Sequence, residues 1–364
     1  MRIGICAFVA AIGFAQPALA QGERAAPFWK TVQATCDSTA AKPATALGQR
    51  IAQTAIDEFT SFGGHRIDSN GRIFRFGLTE AEHEEDEGGS GEAHVGHLGW
   101  WHVMKYWRAV FDDGPADKLE VRGYRDASTS TEDGHASEVL RTSADRLLRL
   151  ADGVSDPEER EILREAAFRA AIIDTSWSAA FISYVVRQSG ANASGFHFAN
   201  AHRVYIYDAF ATSVAEVAGK PDEHLYRACP LASRPRVGDM ICAHREPALA
   251  DASDAAVRER VRGELDGGPD KRSIRRGHCE VVAYIDKGAR KIYTIGGNVN
   301  QAVTTRKLNL RRDGRISAAQ KGNCDGAAQW ALPQPLAQAA GAAPPPVEKC
   351  SLNDKKWFVL LQVR

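Results

Sequence analysis

The hydrophobic pattern changes its period part-way along the chain, and this change limits the possible folds. Up to about residue 217, apolar residues recur at three- and four-residue spacing, as in "TALGQRIAQTAIDEFTSF" at 45–62. That spacing is typical of amphipathic helices. After about residue 236 they alternate, as in "GHCEVVAYI" and "KIYTI", which is typical of antiparallel strands. Helices followed by a sheet predict an α+β fold.

The first twenty residues have the pattern of a secretory signal. "MRIGICAFVAAIGFAQPALA" has Arg2 near its start, then an apolar run, then the small-residue ending Ala18-Leu19-Ala20. This pattern predicts a signal peptide at 1–20 that is cleaved after Ala20. The apolar run is too short to span a bilayer. We therefore expect a periplasmic or secreted protein without membrane insertion.

Six cysteines remain once the signal is removed, and an exported chain usually pairs them as disulfides. They include no C-x-x-C pair, so neither a metal nor another cofactor is expected. Six cysteines allow 15 pairings. Cys36 and Cys350 lie near the two ends of the mature chain, which favours a bridge between the termini. The six are Cys36, Cys229, Cys242, Cys279, Cys324 and Cys350.

The charge balance excludes one class of partner. Lysine plus arginine number 46 and aspartate plus glutamate also number 46, so no net charge attracts the chain to nucleic acid. The pattern predicts one main domain with flanking segments: a signal at 1–20, an N-terminal extension at 21–44, a domain at 45–331 with insertions at about 81–96 and 247–276, an Ala/Pro-rich linker at 332–347 and a C-terminal strand at 348–364.

The stretch "IDTSWSAAFISYVVRQSG" contains the candidate nucleophile. Asp174, Thr175 and Ser176 all favour a helix N-cap, so the helix should begin within a residue of Trp177. Ser178 then lies in the first turn, close to unpaired backbone N–H groups and to the positive end of the helix. Such a helix end stabilises an oxyanion. A plainer alternative is a helix-start serine that bonds only to backbone.

Two residues from the strand-rich half complete a candidate catalytic set. His278 opens one predicted strand and Asn298 ends the next. Adjacent antiparallel strands bring such residues together, so Ser178, His278 and Asn298 are predicted as nucleophile, base and orienting group. The candidate substrate-binding residues are Trp177, His202, Tyr205 and Asp239. His202 and Tyr205, three apart on a predicted helix, could equally pack in the core.

These motifs, taken in order, resemble those of known bacterial families. Trp-Ser-Ala-Ala-Phe at 177–181, Gly-Asp at 238–239, Gly-His at 277–278 and Gly-Asn at 297–298 resemble the papain-like CHAP and NlpC-type cell-wall peptidases. "AIDEF", "FGLTEAE", "AHRVYI", "GHCEVV" and "IGGNVNQAV" are similar to the domain-of-unknown-function family 2272. The resemblance covers about residues 45–315.

The resemblance implies a papain-like fold, with N-terminal helices packed on an antiparallel sheet. It also implies an exported amidase or peptidase that acts on peptidoglycan or another envelope amide. The peptidases have cysteine where this chain has Ser178. A serine hydroxyl is not ionised by a helix end and needs a base to take its proton. We expect catalysis if His278 reaches Ser178 in an open groove.

Two alternatives stay open. A groove without contact between Ser178 and His278 indicates a catalytically inactive envelope-binding protein of the same fold. A filled cleft indicates a disulfide-stapled structural protein.

Overall fold

The computed structural model describes residues 19–81, 99–111, 116–125, 138–317, 320 and 351–364. Several predictions fall outside these residues: most of the signal peptide, nearly all of the 81–96 insertion, the 332–347 linker, Cys324 and Cys350. In the described part of the chain, no helix is long and apolar enough to cross a membrane.

Eight α-helices and ten strands form the described structure. The helices are α1 (Leu19–Ala40), α2 (Ala46–Ser61), α3 (Gly99–Arg108), α4 (Ala144–Asp152), α5 (Pro157–Asp174), α6 (Ser178–Gln188), α7 (Arg203–Val217) and α8 (Asp254–Gly263). The strands are β1 (His65–Ile67), β2 (Ile73–Arg75), β3 (Glu120–Arg125), β4 (Glu138–Ser143), β5 (Tyr226–Pro230), β6 (Met240–His244), β7 (Gly277–Asp286), β8 (Lys291–Val299), β9 (Ala302–Asn309) and β10 (Lys356–Val363).

Eight of the strands form one sheet in the order β2-β1-β9-β8-β7-β6-β10-β5. All neighbouring pairs are antiparallel except β1 and β9, which are parallel. The predicted α+β class is confirmed, but the prediction of a purely antiparallel sheet is wrong. The β1–β2 hairpin turns at Asn70-Gly71, a dipeptide that sequence alone marks as a hairpin turn, and then joins the sheet through its first strand. Strands β3 and β4 form a separate two-stranded ribbon.

Helix α6 lies against β7 and β8, and a glycine allows it to come close. A Cβ atom added at Gly297 would lie 2.4 Å from the Cβ of Phe181 and 2.8 Å from the Trp177 ring. Only a residue without a side chain fits between the helix and the strand. Gly297 therefore sets the distance between the start of α6 and the sheet.

The C-terminal strand β10 lies inside the sheet, between β6 and β5. Asp239 holds its end, because its carboxylate accepts the Val363 N–H at 2.9 Å and the Arg236 N–H at 2.7 Å. Burial raises the pKa of Asp239 to about 7. The predicted strand near the C-terminus is confirmed. Asp239 makes these contacts from a fully buried position.

The sequence pattern was misleading around residues 137–154, which have helical spacing throughout. Residues Glu138–Ser143 form strand β4, and only then does α4 begin. The cause is tertiary: β4 pairs along its whole length with β3, in a segment that the sequence predicts as turn-rich. The next helix, α5, begins where its sequence favours a helix start: the Asp156 carboxylate accepts the N–H groups of Glu158 and Glu159, both at 2.9 Å, and Pro157 follows at the first helical position.

Two disulfides join Cys36 to Cys229 and Cys242 to Cys279. The expected bridge between Cys36 and Cys350 is therefore wrong, because Cys36 attaches α1 to β5 instead. The second disulfide joins directly opposite residues of β6 and β7. The predicted N-terminal extension thus forms a helix that is covalently tied to the sheet.

We expect the two disulfides to differ in their contribution to stability. They join cysteines that are 193 and 37 residues apart. A disulfide that closes a longer loop lowers the entropy of the unfolded chain more. Removing Cys36–Cys229 should therefore lower the free energy of unfolding by about 5 kcal/mol, and removing Cys242–Cys279 by about 4 kcal/mol. Guanidinium unfolding of the C36A/C229A and C242A/C279A double variants tests this order. A larger loss for the second pair would contradict it.

Candidate functional site

Helix α6 begins at Ser178, within a residue of the predicted start, but without the predicted cap. Its N-cap residue is Trp177, and no side chain caps the helix. Asp174 and Thr175 instead bind strand β3: the Arg122 N–H donates to Asp174 at 2.7 Å and the Glu120 N–H donates to Thr175 at 2.9 Å. The first-turn N–H groups of α6 therefore have no side-chain acceptor, and a helix start of this kind favours a developing negative charge.

The hydroxyl of Ser178 is hydrogen-bonded to His202, the residue immediately before α7. Ser178 Oγ lies 2.8 Å from His202 Nε2. Ser178 is 9% exposed and His202 is 4% exposed. On the far side of the ring, His202 Nδ1 contacts the Tyr205 hydroxyl and accepts the Cys279 backbone N–H at 3.3 Å. Ser178, His202 and Tyr205 thus form a continuous chain of hydrogen bonds.

His202 is neutral at ordinary pH. Burial lowers the pKa of its ring well below the usual value, and the neighbouring His278 and Arg245 lower it further. A neutral imidazole is able to take a proton. A backbone N–H only donates, so the bond from Cys279 makes Nδ1 an acceptor and leaves the proton on Nε2, facing Ser178. Removal of the Ser178 proton requires the other tautomer, in which Nδ1–H donates to the Tyr205 oxygen.

His278, the predicted base, lies beside His202 but bonds to Glu280 and not to Ser178, so His202 holds the position predicted for His278. The two rings are 5.2 Å apart between centroids and lie at 67° to each other. His278 Nε2 is 3.2 Å from Glu280 Oε1. Its Nδ1 is buried and has no hydrogen-bond partner among the described residues. Burial, reinforced by Lys355, lowers the pKa of His278 to about 4.

Glu280 is the centre of a buried ionic network. Arg306 Nε donates to Glu280 Oε1 at 2.6 Å, Thr294 donates to Oε2 at 2.6 Å, and Lys355 Nζ lies 4.0 Å from Oε1. Burial alone raises the pKa of a carboxyl, but the Arg306 charge and the His278 contact outweigh it here and hold the pKa of Glu280 well below its usual range. Burial and the Arg306 charge lower the pKa of Lys355 to about 7.

A pocket of about 500 Å³ opens next to His278. Its lining carries more basic than acidic side chains, and the Arg245 guanidinium forms no hydrogen bond or ion pair with the residues that the structure describes. A carboxylate is the kind of group that such a lining binds. The lining residues are Ala243, His244, Arg245, Glu246, Pro247, Ala250, His278, Asp354, Lys355 and Lys356.

Of the predicted site residues, only His278 lines this pocket. Asn298 is in a left-handed conformation at φ 52° in β8, and its side chain forms no hydrogen bond with described residues. Glu280, not Asn298, is the polar partner of His278. Trp177 is fully buried, and its indole N–H donates to Glu80. Burial raises the pKa of Glu80 to about 7.

Sequence reasoning missed the partners that define this site. The sequence pattern does indicate Glu280, because it follows His278 by two residues and a strand places such residues on the same face. His202 was proposed only as a substrate-binding residue. No local signal connects it to Ser178, which lies 24 residues away along the chain.

The comparisons with known proteins give one match. Residues 96–363 match the family described as "Uncharacterized protein conserved in bacteria (DUF2272)". The chain belongs to this family. No match was found among curated proteins or among solved structures. The DUF2272 assignment carries no activity with it, so the function must be argued from the geometry of the site.

We expect Glu280→Gln to destabilise this DUF2272 protein by about 3–5 kcal/mol, because it leaves the buried Arg306 charge without its partner. The lowered pKa of Glu280 means that its stabilising effect is present above the ordinary carboxyl value of 4.5 and is lost as the pH falls. The difference between the two proteins should therefore shrink in acid. Urea unfolding across pH measures it, and a constant difference at every pH would contradict the ionised state of Glu280.

A second variant tests which histidine serves Ser178. Ser178→Cys places a thiol at the helix start, where His202 and the helix end should favour its thiolate. Alkylation of the Ser178→Cys protein at mildly acidic pH should be fast. Adding His202→Gln should slow it at least about tenfold, whereas adding His278→Gln should leave the rate nearly unchanged. The wild-type chain supplies the background labelling of its own cysteines. Equal slowing by both histidine variants would refute the pairing.

Proposed function

We propose that this DUF2272 protein is an exported, papain-like hydrolase that cleaves an amide in peptidoglycan or another envelope polymer. The hydrogen bond of 2.8 Å between Ser178 and His202, at the start of α6, carries the proposal. A nucleophile bonded to a base that is oriented by a third group is the diagnostic arrangement of covalent catalysis. Here the third group is Tyr205, one turn along α7.

The reaction follows from these contacts. With the His202 proton on Nδ1, bonded to Tyr205, Nε2 takes the Ser178 proton as Oγ attacks the carbonyl carbon. The uncapped N–H groups of α6 stabilise the oxyanion. His202 then protonates the leaving amine, and water cleaves the acyl-serine by the same steps in reverse. The negative charge of Glu280 favours the imidazolium that forms in between, since it raises the pKa of His202.

The pocket beside His278 supports a substrate that carries a carboxylate near the scissile amide. Arg245 and Lys355 line this pocket, and His278 connects it to the ring of His202. Peptide portions of envelope polymers offer both an amide and a free carboxylate. The two disulfides support export, since such bonds persist in oxidising compartments.

A second candidate is an envelope-binding protein of the same fold that does not turn over its ligand. The bond from the Cys279 N–H to His202 Nδ1 favours it, because this bond stabilises the tautomer in which His202 donates to Ser178. In that tautomer Ser178 keeps its proton, while the pocket beside His278 stays available to a ligand.

Incubation of the mature protein, residues 21–364, with purified peptidoglycan separates the two candidates. Mass spectrometry should detect released fragments, and Ser178→Ala and His202→Gln should each lower their rate by at least about 10³-fold. Asn298→Ala, which removes the predicted orienting group, should retain most of the activity. A co-sedimentation assay measures binding in parallel.

Each outcome is decisive. Fragments from the wild-type protein but not from Ser178→Ala support the hydrolase. Co-sedimentation without fragments, equal for both proteins, supports the binding protein. If the wild-type protein neither releases fragments nor co-sediments, peptidoglycan is excluded as the target of both functions.

A further inference from the structure

We propose that His197, Asp208 and His224 bind one divalent transition-metal ion, with Zn²⁺ as the reference case. One ring nitrogen of each histidine and one carboxylate oxygen of Asp208 lie within 4.8 Å of one another. The three residues come from different segments: the loop after α6, the middle of α7 and the loop before β5. No short-range spacing in the sequence connects the three ligands, so a metal was not expected.

The donor set matches the chemistry of zinc. Two imidazole nitrogens and one carboxylate oxygen form a common three-ligand set, which leaves a fourth position for water or another ligand. Imidazole also suits cobalt and nickel, whereas calcium and magnesium prefer oxygen donors only. Two neutral histidines and one aspartate offset one of the two positive charges of the ion.

A hydrogen bond to Asp222 already orients the ring of His224. His224 Nδ1 lies 3.1 Å from Asp222 Oδ1, so Nε2 is left for a ligand, and it forms no hydrogen bond with described residues. Asp222 is itself held by the Thr212 hydroxyl at 3.0 Å and by the His224 backbone N–H at 2.8 Å. A carboxylate behind a histidine is the usual support of a metal-binding imidazole, because it fixes the tautomer and the ring orientation.

His197 and Asp208 are hydrogen-bonded to each other where the ion would bind. His197 Nδ1 and Asp208 Oδ2 are 2.7 Å apart. Tetrahedral zinc with bonds of 2.0–2.1 Å needs donor atoms about 3.4 Å apart. Since the donor atoms lie within 4.8 Å of one another, no two of them have to move closer together by more than about 1.5 Å. The His197 side chain is 54% exposed and is therefore able to move by this amount.

The space between these residues suits an ion better than an organic molecule. It measures about 10 Å³ and is lined by Gly195, Phe196, His197, Tyr205, Asp208, Ala209, His224 and Tyr226. That volume holds about one water-sized particle. Tyr205 lines this space and also contacts His202. A bound ion would therefore fix the part of α7 that orients the histidine beside Ser178.

Metal-free protein titrated with Zn²⁺ in a calorimeter tests the site. One ion per chain is expected, and Co²⁺ should give the visible absorption of a tetrahedral complex. H197A/H224A should weaken binding at least 100-fold, and D222N should weaken it by about 10–100-fold. The matched control is H94A/H97A, which removes two histidines from the acidic segment and should bind as the wild type does. Ser178→Ala should also bind normally, so the result is independent of the proposed hydrolase.

The single variant H197A distinguishes loss of metal binding from misfolding, because this exposed side chain is not part of the core. Its metal-free unfolding midpoint should equal that of the wild type, while its Zn²⁺ affinity falls. Three results would overturn the site: no binding by the wild type at 100-fold molar excess of Zn²⁺, unchanged binding by H197A/H224A, or loss of binding in H94A/H97A.

Discussion

The ion pair between Glu280 and Arg306 is the interaction on which the rest of the structure depends. Glu280 is fully buried and Arg306 is 2% exposed, so each charge is stable only with the other in place. Glu280 lies on β7 and Arg306 on β9, while Thr294 of β8 completes the set. Arg306 also donates to the Leu352 carbonyl at 2.6 Å, just before β10. A slip of any of these strands by one residue would separate the two charges, so the pair fixes the register of the sheet.

The same pair sets the electrostatics of the candidate site. Glu280 keeps its negative charge in a position with little water, next to His278 and within the influence of His202. On the other side, Lys355 loses part of its basicity through burial. The site thus contains a neutral histidine bonded to a serine, a second neutral histidine facing the pocket, and one permanent negative charge behind both. This division separates the group that takes a proton from the groups that contact a ligand.

The sequence predicted those features that depend on local spacing. The α+β class, the hairpin at Asn70-Gly71, the start of α6 and the strand Lys356–Val363 all follow from periodicity or turn residues. It did not predict β5, which is defined by its distant partner β10. It also did not predict β3 and β4, which pair only with each other, because the spacing of 137–154 is helical. The parallel contact of β1 with β9 joins segments more than 200 residues apart along the chain, and no local pattern encodes it.

The candidate site divides in the same way. Ser178 was found because a helix start has a recognisable sequence, and His278 because it opens an alternating strand. The bond from Ser178 to His202 depends on how the start of α7 lies beside the first residues of β7, where the Cys279 N–H contacts the ring. The position of Asn298 on the next strand predicts it as the partner of His278. Its backbone conformation at φ 52° belongs to a bulge between β8 and β9, which a spacing argument does not reveal.

The order of the disulfides has a consequence for how the protein matures. Along the chain, Cys36, Cys229, Cys242 and Cys279 are consecutive cysteines, and the structure joins the first to the second and the third to the fourth. An exported chain, as proposed here, leaves the cytoplasm from its N-terminus and presents its cysteines to an oxidase in that same order. Each native bond then forms between a thiol and the next one to emerge. These two bonds therefore need an oxidant but no reshuffling of wrongly paired thiols, a step that takes seconds to hours.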